Sequence, residues 1–209
     1  MTAITPDLLE DIRSRFAHVE DCPFTGPRVF FENAGGALTL KSVVETSARF
    51  AAIPDNQGRD NAASAALGEI IAKAREDAAL FLNAPGGKVF VGESGTELLF
   101  RLIADACLGS AGGTVLGSTV EHPASRSACA RWADVSGKRH VLIAHDDATG
   151  TVSAESYAAE VTEDVAVATI LHTSPVTGMG MDVPAIAAAI RAKAPEALII
   201  VDGIQHACH

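Results

Sequence analysis

Short apolar runs alternate with stretches of helical period along the C-terminal two thirds of this chain, and that alternation leaves few folds open. The runs at 88–91, 114–116, 139–144, 165–171 and 197–201 read as strands, and the stretches at 96–108, 124–135, 153–161 and 183–192 read as helices. Strands and helices in this order give crossover connections and a largely parallel sheet flanked by helices, an α/β fold. The last run, Ala197-Leu198-Ile199-Ile200-Val201, is continuously apolar, as a strand buried on both faces requires, and Asp202 stands where it stops. Ligands in open α/β sheets sit beyond the carboxyl ends of the strands. A carboxylate there, followed by Gln205, His206 and His209, gathers an anion and hydrogen-bonding groups around one small pocket.

Upstream, Thr5-Pro6-Asp7 is a helix start, with a hydroxyl cap and proline in the first turn, and the helix is expected to end near His18. A short strand over 28–31 is expected to deliver Glu32-Asn33-Ala34-Gly35-Gly36, where paired glycines permit either a plain turn or close approach to a ligand. Thr39 is expected to cap a second helix running to about residue 53, and the polar loop 54–59 ends in Arg59. Leu67, Ile70, Ile71, Ala74, Ala78, Phe81 and Leu82 recur at the helical period, which predicts a long amphipathic helix over 62–83.

Composition narrows the function classes. A net charge of −10 without any Lys/Arg cluster argues against nucleic acid as a partner. No apolar run approaches the ~18 residues of a membrane span, and Met1-Thr2-Ala3-Ile4-Thr5-Pro6 lacks the basic and apolar regions of a signal peptide, so a cytosolic location without membrane partners is expected. Cys22, Cys107, Cys129 and Cys208 show no CxxC spacing and read as free thiols.

Three further stretches sit at strand ends. Gly92-Glu93-Ser94-Gly95-Thr96-Glu97 opens a helix, where the first-turn N–H groups of Gly95 and Thr96 and the hydroxyls of Ser94 and Thr96 suit a phosphate; an ordinary capped turn looks similar. His122, in Glu121-His122-Pro123-Ala124, is either a structural hydrogen-bonder or a catalytic group. His172-Thr173-Ser174-Pro175-Val176-Thr177-Gly178 repeats the placement. Asp202, His206, Cys208 and His209 match no recognised metal-ligand spacing, and no metal is expected.

Taken in order, these stretches resemble the class V aminotransferase family of pyridoxal-phosphate enzymes, which includes cysteine desulfurases and selenocysteine lyases. Phe31-Glu32-Asn33-Ala34-Gly35-Gly36 is similar to the family's LDNAA opening, residues 56–84 to its N…HRG…A…FINA segment, and Ser94-Gly95-Thr96-Glu97 to GATE. Glu121-His122 is similar to EHHAN, residues 172–178 to HVSNVTG, and residues 201–209 to VDGAQAVPH. The resemblance implies the large domain of a fold-type I transferase, with an N-terminal segment over 1–60 and a pyridoxal-phosphate-binding large domain over 61–209. It implies that Asp202 pairs with the protonated pyridine nitrogen, His122 stacks on the ring, Gln205 bonds its phenolic oxygen, Gly95 and Thr96 hold the phosphate, and His209 orients from nearby. Asn33 and Arg59 become substrate-side residues, the substrate an amino acid, and the assembly a homodimer with sites at its interface.

The departures carry weight as well. Pro175 stands where the family has an asparagine, which removes a donor, and Cys208 replaces a proline. The family's Schiff-base lysine lies beyond the VDG strand, whereas Lys41, Lys73, Lys88, Lys138 and Lys193 fall in none of the matching contexts. The expectation is therefore a desulfurase-like enzyme cut short before its lysine. A non-catalytic binding or assembly protein on the same fold is the alternative, and a dinucleotide-dependent oxidoreductase is a third, weakened by the absence of a glycine fingerprint.

Overall fold

A computed structural model describes residues 4–54 and 57–207. The chain divides into two compact units, Met1–Gly86 and Gly87–His209.

In the first unit, α1 (Pro6–Ser14) starts as its sequence dictates, with the Thr5 hydroxyl accepting from the Leu8 N–H at 3.3 Å. It stops short of His18, which takes a left-handed φ of 52° as the chain turns into a small antiparallel hairpin of β1 (Asp21–Cys22) and β2 (Gly26–Pro27). The expected strand over 28–31 does not form. A β-prone run becomes a strand only where a neighbour supplies ladder partners. Here Arg28 donates to the His18 carbonyl and covers the Phe30 ring, while Val29 and Phe31 are exposed. Helix α2 (Lys41–Ala51) begins after Leu40, not Thr39, and has no side-chain cap. The Thr39 carbonyl accepts from the Ala17 N–H, and Phe16 and Leu40 form a β-bridge, so Thr39 is held in an extended pairing one residue too early to cap. Helix α3 (Ala62–Phe81) is capped by Asn61, which accepts from the Ser64 N–H at 2.9 Å.

The second unit is a parallel sheet in the order β4-β3-β5-β6, from β3 (Thr114–Ser118), β4 (Arg139–Ile143), β5 (Val165–Leu171) and β6 (Leu198–Asp202). Successive side chains of a strand point to opposite faces, and the core divides accordingly. Val115 of β3 and Val167 of β5 pack with Ile103 and Cys107 of α4 (Gly95–Gly109) and Ala128 and Cys129 of α5 (Pro123–Val135). Their neighbours Leu116 and Ala168 pack with Tyr157 of α6 (Ala154–Glu160) and Ile186 and Ile190 of α7 (Val183–Lys193). The sheet thus carries helices on both faces, and β5 is buried along its whole length.

The expected strand over 88–91 is irregular. No described strand pairs with it, and Phe90 and Val91 are exposed. Among the described residues no helix is long and apolar enough to cross a membrane. The register pairs of Ser118 with Ile143 and of Leu171 with Asp202 place the carboxyl ends of all the strands along one edge.

Candidate functional site

That edge collects the polar groups. Asp202 ends β6 half-buried, with one carboxylate oxygen accepting from the Ile204 N–H and the other from the Ser125 hydroxyl, each at 3.2 Å. Ser125 is fully buried in the first turn of α5, so the helix that follows β3 reaches across to β6 through one hydroxyl. His122 caps the same helix. Its Nδ1 accepts from the Ala124 N–H at 3.1 Å, which leaves the proton of the neutral ring on Nε2, and the ring is exposed at the sheet edge.

Behind Asp202 lies a buried polar seam. The Glu121 carboxylate, 2 % exposed, accepts from the Ser118 N–H at 2.9 Å and from the Thr169 hydroxyl at 2.8 Å. Gly117 makes this fold-back possible: a Cβ there would sit 2.9 Å from the Thr169 hydroxyl and 3.2 Å from Glu121 Oε1. Burial pushes the Glu121 carboxyl up to about 7, further raised by nearby Asp202 and opposed by the Thr169 and Ser118 hydrogen bonds. Burial also pushes the Cys129 thiol up to about 12.

The loops after β5 and β6 interlock. His172 donates its N–H to the Asp202 carbonyl at 2.9 Å, and its ring stacks on His206 with centroids 3.4 Å apart and 22° between the planes. The His206 Nδ1 lies 3.1 Å from the Thr173 hydroxyl. Burial, and then the neighbouring His206, hold the His172 imidazole below its ordinary value. Ser174 ties this loop to the turn after β3 by donating to the Val120 carbonyl at 2.9 Å.

The start of α4 reaches the same place. A Cβ on Gly95 would lie 3.6 Å from Ile204 Cδ1, in ordinary contact, so the turn after Asp202 rests on the helix N-terminus. Ser94 caps the helix, accepting from the Glu97 N–H at 3.1 Å. Gly95 and Thr96 supply first-turn N–H groups that no carbonyl within the helix can take. Ser94→Ala is expected to cost about 1 kcal/mol of stability, read as a lower denaturation midpoint with an unchanged slope. An unaltered midpoint would mean the cap contributes nothing to folding.

The structure therefore brings Gly95, Asp202 and the turn carrying half-buried Gln205 to one edge, with His122 on the same edge in the turn after β3, the next strand but one from β6. His209 and Cys208 lie outside the described residues, as do positions 55–56 of the polar loop. Asn33 and Arg59 belong to the first unit, where both are exposed. Lys138 donates to the Ser110 and Gly112 carbonyls before β3, at the opposite ends of the strands, and Lys193 to the Ala158 carbonyl. Among the described residues no cluster of three or more His, Cys, Asp or Glu side chains is arranged to hold a metal. Ser125, Thr169 and the pairing of His172 with His206 were not assigned from the sequence. A lone hydroxyl inside the apolar run 165–171 was the one local signal for Thr169.

A family profile described as aminotransferase class-V matches residues 29–209. A search among curated proteins finds no match. Among solved structures, the cysteine desulfurase CsdA from Escherichia coli superposes with a TM-score of 0.74 at 22% identity, covering 100% of this chain and 51% of its own. The apo cysteine desulfurase from Thermococcus onnurineus gives 0.77 at 19% identity, covering 97% and 48%. A C-DES variant with glycine covalently linked to its PLP cofactor gives 0.68 at 17% identity, covering 93% and 50%. These likenesses establish the fold, that of the fold-type I enzymes. The chain spans about half the length of the solved structures it matches.

Proposed function

We propose, from the premise that this chain belongs to the class-V aminotransferase family, that it is the cofactor-binding part of a pyridoxal-phosphate-dependent enzyme acting on an amino acid, with cysteine desulfurase-like chemistry. Pyridoxal 5'-phosphate is the cofactor that the family implies. The carrying observation is Asp202 at the carboxyl end of β6. Among the described residues each of its oxygens accepts one donor, which leaves room for a third.

The residues present fit the group. Asp202 would hold a proton on the pyridine nitrogen, and the first turn of α4, with Gly95, Thr96 and the Ser94 hydroxyl, would bind the phosphate. His122 would cover one ring face and Gln205 would bond the phenolic oxygen. When bound, the cofactor supplies an electron sink for bonds broken at the substrate's α-carbon. Asn33 and Arg59 are assigned to the substrate side and His209 to orienting the site. The division into an N-terminal segment over 1–60 and a cofactor-binding region over 61–209, the homodimer and the cytosolic location belong to the same proposal.

A second reading, a binding or assembly protein on this fold, is favoured by Pro175. It has no N–H in the loop after β5, where Val176 and Thr177 direct theirs to the Ser174 hydroxyl. Incubation with pyridoxal phosphate, borohydride reduction and peptide mapping separate the two readings. The expected result is saturable binding, competed by inorganic phosphate, with no stoichiometric pyridoxyl label on Lys88, Lys138 or Lys193. Absence of saturable binding would remove the cofactor assignment.

A further inference from the structure

We infer that Glu121 is a positioning residue for the cofactor-facing carboxylate: it shares one polar seam with Asp202 and gives up its proton when a cation settles on Asp202. This inference rests on the site reading above and deepens it.

The geometry is continuous. Ile200 and Asp202 lie two residues apart on β6 and share a face, and Ile200 is the register partner of Thr169 on β5. Thr169 donates to Glu121. Ser125 and Cys129 stand one turn apart on α5, the first donating to Asp202 and the second with its sulfur 3.8 Å from the Thr169 hydroxyl. Ser125, Cys129, Thr169 and Glu121 are all buried, and among the described residues no ion pair reaches Glu121 or Asp202.

The titratable groups that act on Glu121 or feel it are Asp202 from β6, Cys129 from α5 and Tyr157 from α6. Burial raises both the Cys129 thiol and the Tyr157 phenol, so both stay neutral, and the adjacent His122 ring faces solvent. Two carboxylates with no cation between them do not ionise together easily in such surroundings. Glu121, the more deeply buried of the two, keeps the proton. A pyridinium on Asp202 reverses the balance: it favours a second anion nearby, so Glu121 releases its proton to solvent. By reciprocity, ionised Glu121 tightens the hold on the pyridinium.

The test uses pyridoxine 5'-phosphate, which carries the ring and phosphate without the reactive aldehyde, and calorimetry in buffers of different ionisation enthalpy. At pH 7 the wild-type chain is expected to release up to about half a proton more on binding than Glu121→Gln. The difference vanishes near pH 9, where Glu121 is ionised with and without ligand. Equal proton counts at pH 7 overturn the inference while the site reading stands; no binding by the wild type overturns both. Should Glu121→Gln fail to fold, 13C spectra of the wild-type glutamate carboxyls decide. One carboxyl titrating near pH 7, and at lower pH with ligand bound, supports the inference. Ordinary titration of every glutamate overturns it.

Discussion

Asp202→Asn is expected to weaken pyridoxal phosphate binding about 5- to 30-fold and, under the proposed activity, to remove most of the turnover. Asparagine has nearly the same shape. Its amide oxygen can still accept from the Ile204 N–H, and its amide nitrogen can face the Ser125 hydroxyl, so the turn after β6 keeps its bonds. What is lost is the charge. A hydrogen bond to an ionised partner contributes about 2–3 kcal/mol against about 1 for a neutral pair, and each ~1.4 kcal/mol is tenfold in affinity. A neutral partner also no longer favours the protonated ring nitrogen, and turnover depends on that proton. Absorbance titration measures the affinity, and thermal unfolding of the free chain checks that the fold is unchanged. Binding within threefold of wild type would mean that Asp202 does not face the ring.

The strands over 165–171 and 197–201 were legible because a central parallel strand is apolar on both faces and leaves an unbroken run. The runs over 28–31 and 88–91 have similar local character and form no strand, because pairing depends on a neighbour that the local sequence does not specify. Thr39 failed as a cap for a related reason: its backbone is already held by Ala17, a contact from another element. The site divides in the same way. Asp202 and His122 could be placed because the end of an apolar run fixes which edge of the sheet a residue occupies. Ser125 and Asp202 are 77 positions apart, and Thr169 and Glu121 48, so no local pattern joins them. The His172–His206 stack depends on how two separate loops close, and the sequence shows only two imidazoles.

The largest loss of stability is expected from Gly112→Ala, about 2–4 kcal/mol, seen as a midpoint lower by about 6–12 °C. Gly112 has a φ of 91°, and a Cβ there would stand 2.7 Å from the Asp164 carbonyl oxygen and 3.3 Å from the Ala166 Cβ. The carbonyl cannot retreat. It accepts from the Gly113 N–H at 3.0 Å and the Thr114 N–H at 3.1 Å, while the Asp164 side chain accepts from the Gly113 N–H at 2.8 Å and the Thr114 hydroxyl at 3.2 Å. On the other side, Lys138 holds the Gly112 carbonyl at 2.6 Å. A left-handed conformation costs a residue with a side chain about 1–2 kcal/mol, and overpacking against fixed neighbours adds about 1–3. Gly137→Ala is the matched control, with a φ of 68° and open space around the added carbon, so only the conformational part, about 1 kcal/mol, should appear. If the two variants lose equal stability, the turn into β3 yields to the methyl group, and the rigidity ascribed to Asp164 is absent. If Gly112→Ala loses the larger share, β3 is clamped at its start, and the Glu121 turn at its other end stands on a fixed strand.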